Sequence, residues 1–167
     1  MERLKKQPPR PDIRTANGFT AAVKRIERLL FAVSYAILGN GDACADAVQM
    51  ALLKAWEKRM SLRDGAQFKS WMVHIVQNES RNYLRKRPNL PLDGDIPYME
   101  EDHARLDVKQ AINDLPQKTR LIVMLYYFER YPVRDIAALL DLPEGTVHSR
   151  LSRARDQLRK ELPDYER

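Results

Sequence analysis

The sequence predicts an all-α protein of two small helical domains, and three observations carry that prediction. Apolar residues recur at spacings of three and four through most of the chain, no run alternates as a strand would, and only 6 of 167 residues are glycine. A proline-rich acidic stretch over residues 88–104 cuts the helical pattern in two. Each block is close to the lower size at which a core holds itself together, so stability borrowed from a partner is expected.

Residues 1–17 read as a flexible basic tail and 18–87 as the first domain, a three-helix type of bundle. Over 19–38, Phe19, Val23, Ile26, Leu30, Val33 and Ile37 mark one buried stripe, predicting a single helix that ends at the Gly39-Asn40-Gly41-Asp42 turn. A second helix is predicted over 42–58 with Asp42 as N-cap. Ala43, Ala47, Val48, Ala51, Leu52, Ala55 and Trp56 suit its inner face, yet Met50 and Leu53 leave apolar groups on another side. A helix apolar on more than one face needs burial on more than one face, either as the centre of a bundle or against a partner. The third helix, 67–86, must stop before Pro88. Phe68, Met72, Ile75, Val76 and Tyr83 point it inward with Trp71 at the edge, while His74, Asn78, Arg81 and Arg85 recur at four, three and four on another side. Such a stripe can follow a nucleic-acid backbone, with the Asn78 amide able to read a base edge; a merely solvated charged face is the ordinary alternative.

Residues 88–104 form the linker, with Asp93, Asp95, Glu100, Glu101 and Asp102 among its prolines. The second domain, 105–162, has breaks near Pro116, Pro132 and Pro143, and 163–167 is a short tail. A short helix from about Val133 to Leu140, a turn at Asp141-Leu142 and a helix opening with Pro143 at its first position have helix-turn-helix logic. Val147, Leu151, Ala154 and Leu158 make one inward stripe, and Ala137 is small where two helices cross. The opposite face offers Ser149, Ser152, Arg153 and Asp156, with Thr146, His148 and Arg150 beside it. Small hydroxyls and arginines suit base edges and phosphates in a major groove, although an amphipathic helix of a non-binding bundle has the same pattern.

A formal net charge of +6 and a sequence pI of about 9.5 favour a polyanionic partner. The single cysteine, Cys44, excludes an internal disulfide, and no Cys/His set has zinc spacing. No stretch approaches the roughly 18 apolar residues of a membrane span, so a cytoplasmic protein without direct membrane insertion is expected. His74, His103 and His148 lie far apart, there is no phosphate loop or nucleophile elbow, and the densest carboxylates sit in the linker. No catalytic residue, metal, cofactor or small-molecule substrate is expected.

The stretch LPQKTRLIVMLYYFERYPVRDIAALLDLPEGTVHSRLSRARDQL resembles the fourth conserved region of bacterial sigma factors, with GTVHSRLSRAR close to its recognition-helix signature. DACADAVQMALLKAW followed by FKSWMVHIVQNESRNYLRKR resembles the second region, and the short linker resembles the extracytoplasmic-function class. The resemblance implies a promoter-specificity subunit of RNA polymerase that recognises DNA and opens it for transcription initiation. It assigns Thr146, His148, Ser149, Arg150, Ser152 and Arg153 to the minus-thirty-five element, and His74, Asn78, Arg81 and Arg85 to the minus-ten element. The loop at about Met60 to Gln67 would capture a base flipped from the non-template strand. Asp46, Gln49, Met50 and Leu53 fall on the face that docks on the large-subunit coiled coil of core polymerase, whose flap is a second contact. Met50 departs from the acidic residue common there, Asn82 from a frequent aspartate and Asp141 from a glycine often seen in the turn. The linker would thread toward the active-site channel, where its carboxylates imitate nucleic acid. An anti-sigma protein is a further implied partner, and a membrane-bound one would hold the chain at the membrane. A stand-alone helix-turn-helix regulator, or a sigma-like decoy for an anti-sigma protein, are the competing readings.

Overall fold

The computed structural model describes residues 9–92 and 106–162. The basic tail up to residue 8, the linker carboxylates Asp93 to Asp102 with His103, and the C-terminal tail lie outside the described residues.

The first half contains α1 (Ala16–Lys24), α2 (Glu27–Leu38), α3 (Gly41–Lys58) and α4 (Phe68–Lys86). The expected single helix over 19–38 is thus two. Ile26 leaves helical geometry at φ −122°, and its amide donates to the Val23 carbonyl at 3.0 Å, closing a turn between α1 and α2. Helix α1 is capped by Thr15, whose hydroxyl accepts from the Gly18 amide at 3.1 Å. The N-cap of α3 is Asn40 instead of Asp42: its Oδ1 accepts from the Ala43 amide at 2.9 Å. Asp42 lies within the first turn, where a carboxylate still complements the helix dipole.

Helices α2, α3 and α4 pack mutually as a three-helix bundle. Its centre is α2, in which every residue from Leu29 to Leu38 is buried except the partly covered Phe31. A helix apolar all round must be enclosed all round. The second half supplies the remaining cover: α5 (Leu106–Asp114), α6 (Gln117–Val123), a π-helical turn (Met124–Phe128), α7 (Val133–Leu140) and α8 (Glu144–Glu161). Helix α6 and the π turn lie on α2, so one hydrophobic core runs from Phe19 and Val33 through Ile122 and Leu125 to Ile136 and Leu151. The partner that each small domain lacks is, in part, the other domain.

The helix-turn-helix forms largely as its sequence dictates. Val147, Leu151 and Ala154 are buried against Ile136 and Ala137, with Leu158 half-buried. Asp141 ends α7 in the left-handed region at φ 53°, and the Leu142 amide returns to the Ala137 carbonyl at 2.9 Å. Pro143 occupies the N-cap of α8, not its first helical position, which belongs to Glu144. The π turn arises where the Glu129 amide reaches back to the Met124 carbonyl at 3.1 Å and Arg130 turns over at φ 56° before Pro132.

Candidate functional site

On α8, His148, Ser149, Ser152 and Arg153 are exposed, and Thr146 and Arg150 are partly covered. The six residues therefore share one solvent-facing side of a helix whose other side is anchored by Val147, Leu151 and Ala154. Ser149 Oγ donates to the Thr146 carbonyl at 3.0 Å, which engages its proton and leaves its lone pairs outward. Among the described residues, neither Arg150 nor Arg153 is held in an ion pair, so both guanidinium forks are available to a ligand.

On α4, His74, Asn78, Arg81 and Arg85 are all exposed and lie along one side. Arg85 donates from Nη2 to Asn82 Oδ1 at 3.0 Å. Arg87, at the end of the helix, stacks its guanidinium 4.2 Å from the Tyr83 ring centroid. Below this face Phe68, Met72, Val73, Val76, Gln77 and Ser80 are buried, with Ile75 and Tyr83 only partly so. Trp71 is half-buried beside Phe68, centroids 6.1 Å apart, in keeping with a packing role.

The segment between α3 and α4 contains two 3-10 turns, Arg59–Ser61 and Gly65–Gln67. Asp64 caps the second, accepting from the Ala66 amide at 2.8 Å. Arg59 fixes the first: its guanidinium lies 3.5 Å from the Trp56 centroid, while Nη1 donates to the Trp56 carbonyl at 2.6 Å and Nε to the Arg14 carbonyl at 3.1 Å. Trp56 in turn meets Phe19 edge-on at 5.3 Å, and Phe19 meets Phe68 at 5.8 Å. The result is a solvent-facing loop, with Met60, Arg63, Gly65, Ala66 and Gln67 exposed, on a rigid aromatic floor. Beside it opens a cleft of about 290 Å³, lined by Ile13, Ile26 and Phe68 together with Arg10, Arg25 and Lys69. Composition revealed the cations, but neither the Arg59 brace nor the cleft has a local sequence signal.

On α3, Asp46, Gln49, Met50 and Leu53 are exposed together. Met50 and Leu53 keep 48% and 55% of their surface, which leaves two large apolar side chains in water on a helix whose inner face is already filled by Ala43, Cys44, Ala47, Val48, Ala51 and Ala55. Asp46 accepts a hydrogen bond from the Tyr83 hydroxyl at 3.2 Å, and Lys54 pairs with Glu79 at 2.6 Å. Both contacts fasten this face to α4. Burial, reinforced by the Asp46 carboxylate, raises the Tyr83 phenol above its ordinary range, so it remains a donor at neutral pH.

Among the described residues no cluster of His, Cys, Asp and Glu could hold a metal ion, and no helix is long and apolar enough to cross a membrane. The molecule thus offers a basic, hydroxyl-bearing outer face on the last helix of one half, and a basic helix with a neighbouring loop and an apolar outer face in the other. The sequence matches the Sigma-70 region 2 family over residues 22–88 and the Sigma-70 region 4 family over residues 105–158. The chain belongs to the sigma-70 family of RNA polymerase sigma factors. It is 31% identical to the probable sigma factor RfaY of Xanthomonas campestris pv. campestris, a match covering 84% of this chain and 39% of that protein's length. It is 28% identical to the extracytoplasmic-function sigma factor SigW of Bacillus subtilis, covering 89% and 90% of the two chains. The sigma factor RpoE of Bartonella quintana, solved in complex with the anti-sigma factor NepR, superposes with a TM-score of 0.72 at 28% identity, over 91% of this chain and all (100%) of that one. A single superposition therefore takes in both helical halves.

Proposed function

We propose that this chain is a dissociable promoter-specificity subunit that lends core RNA polymerase its choice of start site and has no catalytic activity of its own. The observation that carries the reading is the coexistence, in one chain, of two separate basic helical faces and one apolar outer face that the fold leaves uncovered. Helix α8 would hold the minus-thirty-five element as duplex through Thr146, His148, Ser149, Arg150, Ser152 and Arg153. Helix α4 would follow the minus-ten element through His74, Asn78, Arg81 and Arg85, with the loop between α3 and α4 taking the extruded base. Binding to the unpaired strand offsets an unstacking cost of a few kcal/mol per base, so no nucleotide-hydrolysing motif is required. Asp46, Gln49, Met50 and Leu53 would dock on core polymerase, which fixes the two DNA faces relative to each other and raises their effective concentration. Relatives solved with anti-sigma factors support an anti-sigma protein as a further partner, acting on a chain that works in the cytoplasm.

The test adds purified chain to sigma-free core polymerase and a promoter library and maps transcription starts. Selective starts that depend on the chain are expected. Tight operator binding without polymerase would instead identify a stand-alone regulator. Capture of an anti-sigma protein without any DNA binding would identify a decoy.

A further inference from the structure

The chain just before α1 lies down as a strap and builds one wall of a cationic cleft. The Asp12 carbonyl accepts from both the amide and the hydroxyl of Thr15, at 3.2 and 3.0 Å. Ile13 is buried, and the Arg14 carbonyl takes the bond from Arg59 Nε at 3.1 Å. The strap crosses α1 at Gly18, where a Cβ would collide with the backbone carbonyl of Asp12. Only glycine permits so close an approach of two backbones. Laid down in this way, the strap brings Arg10 to the cleft of about 290 Å³ that is also lined by Arg25, at the end of α1, and by Lys69, in the first turn of α4.

All three cations are exposed and, among the described residues, none is in an ion pair. No carboxylate lines the cleft. The acids nearest in sequence are engaged in turns: Asp12 Oδ1 accepts from the Arg14 amide at 3.1 Å and Asp64 Oδ1 from the Ala66 amide at 2.8 Å. Lys69 lies 5.3 Å from the Tyr131 ring centroid and shares an adjoining cleft with Asp135, without pairing to it. A cleft of one sign with apolar walls focuses its field, and its charge stays uncompensated until an anion arrives. The walls here are Ile13, Ile26 and Phe68. Helix α4 adds to the demand, since Gln67 at its N-cap makes no side-chain cap bond and its first turn contains no acid to offset the dipole. Small-ligand pockets begin at roughly 300 Å³, so this one suits a single phosphate ester with its sugar.

We propose that this cleft is a phosphate-ester site for a nucleotide, with Arg10, Arg25 and Lys69 on the phosphate and the sugar against Ile13, Ile26 and Phe68. The cleft shares Gly65 and Ala66 with the loop between α3 and α4. The source this favours is therefore the sugar-phosphate backbone next to the base which that loop would take, a contact separate from the α4 row of His74, Asn78, Arg81 and Arg85. That source rests on the function proposed above; the anion site itself does not.

The full chain is titrated, over a range of salt concentrations, with a labelled single-stranded oligonucleotide and with ATP. Arg10→Gln and Arg25→Gln each remove one cation at an exposed position, and Gly18→Ala lifts the strap; Lys24→Gln, exposed on α1 outside the cleft, is the charge-matched control. On the oligonucleotide each cleft variant should weaken binding several-fold and lower the salt slope by about 0.7, the loss of one single-strand phosphate contact. Should Gly18→Ala fail to fold, the arginine variants decide. On core polymerase and a promoter with an unpaired minus-ten region, an uncharged methylphosphonate replaces one non-template linkage at a time. The parent complex should weaken at one linkage, and that loss should vanish in Arg25→Gln. ATP binding that Arg25→Gln abolishes, with no linkage coupled to Arg25, would keep the phosphate site and overturn the strand as its source. Equal affinities of parent and cleft variants for both probes would overturn the site, as would an equal loss in Lys24→Gln. Failure of the parent chain to bind polymerase counts against the proposed function and leaves the salt slopes to judge the cleft.

Discussion

The hydroxyl of Tyr83 on α4 donates to Asp46 Oδ2 on α3 at 3.2 Å, joining the helix proposed to read DNA to the face proposed to meet polymerase. Tyr83→Phe removes that bond at a solvent-accessible site and should cost less than about 1 kcal/mol in a denaturant titration. Asp46→Ala should leave stability similarly intact yet weaken core polymerase binding several-fold, read by competition with another sigma factor. The Tyr83 phenol is raised in the folded state, so its contribution is complete below its ordinary pKa and fades only as alkaline pH passes the raised value.

Met50 and Leu53 stand in water, so Leu53→Asp should not lower the melting temperature. If this face is buried on polymerase, the same change should weaken binding by roughly 2 kcal/mol, about 30-fold. Equal affinity for both chains would remove Leu53 from the interface.

Arg153→Ala and Arg150→Ala should be separable on a promoter panel. Loss of a base contact costs about 1–3 kcal/mol at one position, whereas loss of a phosphate contact weakens all sequences alike and lowers the salt slope by about one. Uniform losses after Arg153→Ala would make that side chain a phosphate ligand.

Ser34 and Ser80 share a buried hydrogen bond of 2.9 Å between α2 and α4. Ser34→Ala leaves Ser80 unpaired and should cost on the order of 1–3 kcal/mol. Burial pushes the Cys44 thiol up to about 11 from 9.0. The folded chain therefore holds this proton more tightly than the unfolded one. The stability it contributes is full below pH 9 and is lost as pH rises through about 11, and thiol reagents at pH 8 should react only with unfolded chain.

Asp141 holds a left-handed turn at φ 53° between α7 and α8. Asp141→Gly should be neutral or stabilising by up to about 1 kcal/mol, while Asp141→Val should cost 1 kcal/mol or more, by approximate αL penalties. A valine variant as stable as the parent would show that this turn tolerates a branched side chain.

The sequence by itself determined whatever depends on neighbours three or four residues away. It set the inward stripe Val147, Leu151 and Ala154, the outward group from Thr146 to Arg153, the α4 row from His74 to Arg85 and the stranded Met50 and Leu53, because side-chain direction on a helix follows from periodicity alone. Local competition settled less. The break at Ile26 is invisible in a stripe that continues across it, and Asn40 outcompeted Asp42 as the cap of α3 by a shift of two residues. Only the tertiary structure decided that α2 is the enclosed centre, that Arg59 and Trp56 floor the loop before α4, and that Arg120 reaches the carbonyl of Ala36 across 84 residues of chain. A buried arginine and a free helix end are each ordinary in a sequence, and their pairing exists only once two distant helices lie side by side, since hydrogen-bond demand is local but its satisfaction need not be.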